Sequence, residues 1–151
     1  MTPRRLDPAT IAARLRLIED LLRDLLEIGE VDVQRLRRER FTRHIVERVL
    51  TQLVDLANGI NTHIVAAELD RAPQSNRASF EELAKIGIIG YEFADEIGPS
   101  VSMRNALVHE YMDIDLNRVA AAVPMAIEQY GRYVEQVARW LLDRQNVSGG
   151  T

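Results

Sequence analysis

Apolar residues return at steps of three and four along almost the whole 151-residue chain, the period of helices that each bury one face. Asp7, Pro8 and Thr10 supply a helix start, and Ile11, Leu15, Ile18, Leu22 and Leu25 then form one stripe that stops at Gly29. A second stripe runs from Asp32 to Asp70 through Leu36, Phe41, Ile45, Val49, Leu53, Ile60 and Ile64. Val46, Leu50, Val54 and Ala57 widen it, and it predicts the longest helix. Arg71 to Ala78, containing Pro73, Gln74, Ser75 and Asn76, reads as an exposed loop. Ser79 then stands three residues before Glu82, the spacing of a capping box that would open a short helix.

Gly87 and Gly90 end that helix, and Gly98-Pro99-Ser100 bends the chain ahead of Val101 to Tyr111, which predicts a kinked helix. Asp115 can cap the last helix, expected to reach about Arg144 with Val119, Val123, Ile127, Tyr130, Val134, Val137 and Leu141 inward. Pro124 should kink or divide it. Asn146 to Thr151 offers no core residues and reads as a flexible tail. No repeat and no strand-like alternation interrupts the pattern. The expectation is an all-α bundle of four to five helices, one long and one kinked, forming a single domain over residues 1–145 with a tail over 146–151.

Composition narrows the chemistry. A net charge of −4 excludes a polycation that holds nucleic acid by bulk electrostatics, so any such site must be local. The absence of cysteine removes disulfides, thiolate metal sites and a thiol nucleophile, and leaves His44, His63 and His109 as the imidazoles. No apolar run reaches the roughly 20 residues of a membrane span and the N-terminus leads into no secretory segment, so a soluble cytoplasmic protein without a bound cofactor is expected.

The densest polar chemistry lies in Ser102-Met-Arg-Asn-Ala-Leu-Val-His-Glu-Tyr-Met-Asp113. On a helix, with Arg104 at zero, Asn105 falls near about 100°, His109 near about 140° and Tyr111 near about −20°, so all four project over roughly half the circumference. Asn105 and His109 form an i, i+4 pair in which the amide could fix the imidazole tautomer. Val108 falls inside the same arc and dilutes it. A histidine that exchanges a proton with a ribose 2′-OH or a leaving oxygen, beside a guanidinium that neutralises a phosphoryl group, suffices for RNA cleavage without a metal. The 2′-OH is itself the nucleophile. The bland alternative for such residues is a hydrogen-bonded seam between helices.

The run Arg104-Asn105-Ala-Leu-Val-His109-Glu-Tyr111 resembles the Arg-Asn-x-x-x-His-x-Tyr signature of the HepT-like proteins within the HEPN superfamily. The likeness extends to Glu47-Arg48-Val-Leu, Asp55-Leu-Ala and Ile60-Asn-Thr-His63-Ile64 in the long helix. It also takes in Ser79-Phe80-Glu81-Glu82-Leu83 with Gly87-Ile88-Ile89 before the motif, and in all it spans roughly residues 10 to 140. The resemblance implies an all-α protomer that forms a homodimer, with two motifs meeting in a composite ribonuclease cleft. It implies the toxin of a toxin–antitoxin pair, silenced when an MntA-like nucleotidyltransferase antitoxin transfers AMP to the motif tyrosine, here Tyr111. An adenylate beside Arg104 would add negative charge and obstruct RNA. The implied roles are His109 as general acid–base, Arg104 on the scissile phosphate, Asn105 orienting His109, and Tyr111 contacting substrate and accepting AMP.

Other features carry less. Arg35, Arg37, Arg38, Arg40 and Arg43 are the densest basic group and a candidate contact for RNA or a partner, although charge runs on long helices are usually solvated faces mixed with acids such as Glu39 and Glu47. His63 with Asp55 and Asn61 has poor metal-ligand spacing and reads as hydrogen bonding; His44 reads as solvent-facing. Asp113 with Asp115 resembles a cation pair, but Asp115 is already explained as a cap. Trp140, Tyr130 and Tyr133 read as packing and not as a base-stacking platform, and no metal is expected. Two further readings remain: a non-catalytic helical partner that presents substrate to a nucleotidyltransferase, and a plain oligomerisation bundle.

Overall fold

Asp7 takes the Thr10 N–H and hydroxyl on its carboxylate, and the chain turns there into α1 (Pro8–Ile28), whose five predicted apolar positions are all buried. The Thr10 hydroxyl, first among several hydrogen bonds, holds the Asp7 carboxyl below the usual carboxylate range. α1 ends at Gly29, whose φ of 78° lies in the region that suits glycine. The computed structural model describes residues 5–110 and 112–149, without the side chains of residues 148 and 149.

The stripe from Asp32 to Asp70 forms two helices, not one. Asp32 caps α2 (Val33–Arg38), and Glu39, with φ −107° and ψ 89°, separates it from α3 (Arg40–Leu69). Glu39 closes one helix and opens the next: its N–H reaches the Arg35 carbonyl, its own carbonyl accepts from Arg43, and its carboxylate takes the Thr42 hydroxyl at 2.9 Å. Arg35 fixes the corner by donating to the Ile28 and Glu30 carbonyls at 2.7 and 2.8 Å, thereby satisfying the exposed end of α1. The break corrects two expected core positions. Phe41 is 73% exposed and Ile45 49%, because the first turns of α3 lie on the side that no helix of the protomer covers, while Val46, Val49 and Leu53 face inward.

Ser75, not Ser79, caps α4 (Asn76–Ile86), taking the Ala78 N–H at 3.0 Å. Ser79 is fully buried; it donates to the Asn76 carbonyl and accepts from Asn61 at 2.9 Å, and Glu82 pairs with Arg71 at 2.7 Å instead of returning to Ser79. The hydroxyl is required inside because Asn61 is also buried and must be satisfied. Gly87, at φ 94°, ends α4, and α5 (Tyr91–Ile97) passes through helical Gly98 into α6 (Pro99–His109), so the two helices divide where a bend was expected. The Asp115 carboxylate accepts from Asn117 N–H at 2.9 Å at the start of α7 (Leu116–Gly149), which runs past Pro124 without dividing. Helical backbone continues through 149, beyond the tail boundary expected at 146.

The described residues therefore contain seven helices where four to five were expected; the extra ones come from the breaks at Glu39 and Gly98. The class stands as all-α, but two helices are long: α7, with 34 residues, exceeds α3, with 30, so the stripe from Asp32 to Asp70 does not form the longest helix once Glu39 divides it. All seven helices feed one buried cluster, and α3 touches every other helix except α5. A buried polar knot sits in this core. Tyr133 on α7 donates to Asn61 Oδ1 at 2.5 Å and lies 3.3 Å from the Ala57 carbonyl, while Phe80 meets its ring edge-on at 5.9 Å. The Ser100 hydroxyl donates to the Ile97 carbonyl, so Tyr130, 2.7 Å away, donates to Ser100. Burial pushes both phenols up. Trp140 packs against the core with Arg144 over its ring, and none of the described helices is long and apolar enough to cross a membrane.

Tyr133→Phe leaves the Asn61 carbonyl oxygen buried without its donor. The variant should be less stable by about 1–3 kcal/mol in urea unfolding with an unchanged m-value; an unaltered midpoint would show that the knot contributes nothing.

Candidate active site

α6 is amphipathic only in part. Val101 and Ala106 are buried, Met103 and Leu107 are half-buried, and Ser102, Asn105, Val108 and His109 are exposed. Arg104 stands at the border between the packed and exposed faces, with its side chain 24% exposed. Its Nε donates to Asp55 Oδ1 at 2.8 Å, across the seam between α6 and α3, and its Nη1 reaches Asn105 Oδ1 at 3.4 Å. A guanidinium has five N–H donors, so most of its hydrogen-bonding edge stays open while the carboxylate fixes its plane.

His109 is the last residue of α6, exposed, with helical hydrogen bonding ending as the Glu110 N–H reaches the Ala106 carbonyl. Asn105 faces Arg104, and among the described residues no hydrogen bond joins it to His109, in contrast to the i, i+4 pairing expected from the spacing. Tyr111 lies outside the described residues. Thus Arg104 and Asn105 are in contact, and His109 shares their helix.

Asp55 is the component that local spacing missed. It lies 49 positions from Arg104, so no periodicity connects them. The sequence offered little signal, since an acid on the exposed face of an amphipathic helix needs no partner, and Asp55 is exposed. The three residues weighed as a metal set go separate ways: Asp55 to Arg104, Asn61 to Ser79 and Tyr133, and His63 Nε2 to the Asp7 N–H at 2.9 Å. Asp113 and His44 are solvent-exposed, Asp115 is a cap, and the described residues contain no group of three acids or imidazoles placed to hold a metal.

Of the arginine group on α2 and α3, Arg35 and Arg43 are hydrogen-bonded and Arg37, Arg38 and Arg40 are exposed. Arg35 closes the end of α1, Arg43 pairs with Glu47 at 2.9 Å, Arg38 lies 3.7 Å from Glu39 and Arg40 lies 5.5 Å from the Phe41 ring. Two cavities flank the seam. One of about 240 Å³ lies under the start of α6 and is apolar, with Leu50, Val54, Met103 and Met125 in its wall. The other, of about 480 Å³, lies between α1 and α3 and includes Asp55.

Comparison with known proteins shows the family of the chain. A family model described as ribonuclease HepT-like matches residues 18–137. A tRNA nuclease HepT of Aphanizomenon flos-aquae is 35% identical over 137 residues, covering 91% of this chain and 93% of that protein. The fold matches a crystallised toxin–antitoxin with AMP-PNP at a TM-score of 0.78 and 21% identity, covering 87% of this chain and 98% of that one. It also matches the tri-AMPylated Shewanella oneidensis HEPN toxin in complex with its MNT antitoxin, at a TM-score of 0.77 and 22% identity over 86% of this chain and 97% of that one. The motif arginine held across the α3–α6 seam and the histidine closing the same helix therefore belong to a member of the HepT-like ribonuclease family.

Proposed function

We propose that this chain is the toxin of a toxin–antitoxin pair, a cytoplasmic homodimer that cleaves RNA without a metal and is silenced by AMPylation of Tyr111 by an MntA-like nucleotidyltransferase. The observation that carries the reading is Arg104, anchored by Asp55 through Nε with its outer edge free, on the helix that ends in exposed His109. Relatives described as a tRNA nuclease and a toxin bound to its antitoxin support it.

In this mechanism the 2′-oxygen attacks phosphorus as His109 takes its proton, the bond to the 5′-oxygen breaks, and that oxygen receives a proton. Where two motifs meet in a homodimer, one copy of His109 accepts the proton and the other donates it. Arg104 neutralises charge building on the phosphoryl oxygens, Asp55 holds the guanidinium in place, and Asn105 lines the site beside it. Tyr111 contacts the substrate and accepts AMP. Phe41 and Ile45, left exposed on the α3 face that also carries Asp55, supply apolar surface for the second copy.

Purified protein carrying no adenylate by mass should cleave bulk tRNA in excess EDTA. His109→Ala and Arg104→Ala should each lower that rate by at least about 100-fold. Equal inertness of wild type and variants across varied RNAs would defeat the ribonuclease reading and favour a non-catalytic partner of a nucleotidyltransferase. Asp55→Asn should cost less than about 1 kcal/mol of stability, since the pair is partly exposed, yet slow cleavage about tenfold at an unchanged association state. Wild-type rates in this variant would remove Asp55 from the site.

A further inference from the structure

The cleft between α1 and α3 borders the seam that holds Arg104, since Asp55 belongs to both. Its wall contains Arg14, Asp20, Arg48, Gln52 and Asp55 around a space of about 480 Å³. Both acids are already neutralised from outside it, Asp20 by Arg23 and Asp55 by Arg104. Neither Arg14 nor Arg48 has an ion-pair partner among the described residues; Arg16, Arg37, Arg77, Arg118 and Arg139 have none either, but of these only Arg14 and Arg48 line this cleft. The formal charges of the wall cancel, but its two acids are each engaged by a guanidinium and its two arginines are not, so the hydrogen-bonding groups left open in the cleft are guanidinium N–H donors.

Placement along α3 is equally specific. Arg48, Gln52, Asp55 and Gly59 recur at steps of three and four and share one face. Arg48 lies about two turns before Asp55. Arg14 lies against the helix about one turn after it, where Gly59 presents no side chain and a Cβ would stand 3.4 Å from Arg14 Nη1. The carboxylate that holds the motif arginine is thus bracketed on its own helix by two unpaired guanidiniums. We propose that the α1–α3 cleft is a backbone-phosphate subsite of the RNA substrate, in which Arg14 and Arg48 take phosphates flanking the scissile one held by Arg104. Planar guanidinium donors suit phosphate oxygens, and contacts of this kind position RNA without reading its sequence. The subsite rests on the ribonuclease reading for its substrate. It assigns substrate affinity to this cleft and not to the basic run on α2 and early α3.

The test uses full-length protein with His109→Ala, so that RNA is bound but not cut, and bulk tRNA as the probe. Adding Arg14→Gln and Arg48→Gln should weaken binding at least tenfold near 0.1 M salt and flatten the dependence of log Kd on log salt by about one to two. A charge-matched pair, Arg16→Gln with Arg139→Gln, reads the effect of net charge alone. The proposal is overturned if the Arg14 and Arg48 pair behaves like that control, or if light scattering shows that it binds less only because its association state has changed. Wild type that cuts no tRNA while the Arg14 and Arg48 pair still weakens binding would defeat the ribonuclease reading and keep the subsite.

Discussion

A single long helix has to satisfy five neighbours at once. α3 meets α1, α2, α4, α6 and α7, so it must be apolar around most of its circumference, and its buried residues span Val46, Leu53, Ala57, Ile60 and Ile64. An exposed strip runs through Phe41, Ile45, Arg48, Gln52, Asp55 and Gly59, with His44 beside it. Because most of the rest of α3 is taken by packing, that strip is where the helix can carry chemistry. Asp55 lies on it, and Arg104 of α6 reaches across to it. The same helix that organises the core thereby fixes the direction of the motif guanidinium.

The buried polar knot adds a second requirement. Asn61, Ser79 and Tyr133 come from α3, α4 and α7 and satisfy one another only when those helices are docked in one register. Apolar contacts alone tolerate sliding; a buried amide with one donor and one acceptor in place does not. Register on α3 in turn decides which turn of the helix meets α6, so the knot sets the Asp55–Arg104 distance from the far side of the core.

Much of this was legible in the chain. The cap at Asp7 and the stripe to Leu25 describe α1 as observed, and the motif lies on a helix as expected, though that helix already includes Pro99 and Ser100, which were read as a bend ahead of Val101. The failures share a cause. Phe41 and Ile45 continue the period of the stripe, and nothing local reveals that Glu39 restarts the helix with its first turns uncovered. Ser79 and Glu82 have capping-box spacing, but a buried Asn61 contributed from α3 claims the hydroxyl. The basic run from Arg35 to Arg43 is conspicuous in sequence, yet Arg35 and Arg43 are committed to hydrogen bonds, while Arg14 and Arg48 are inconspicuous in sequence because they meet only across the α1–α3 cleft. Pairing across long sequence separation is what periodicity cannot display.

The central claim is that Asp55 and Arg104 act as one unit in RNA cleavage. The most direct test is a double-mutant cycle on the cleavage rate of bulk tRNA in EDTA, using Asp55→Asn, Arg104→Ala and the two combined. The account predicts that the double variant is no slower than Arg104→Ala alone, since a positioning carboxylate has nothing left to position. Losses that multiply independently would contradict it.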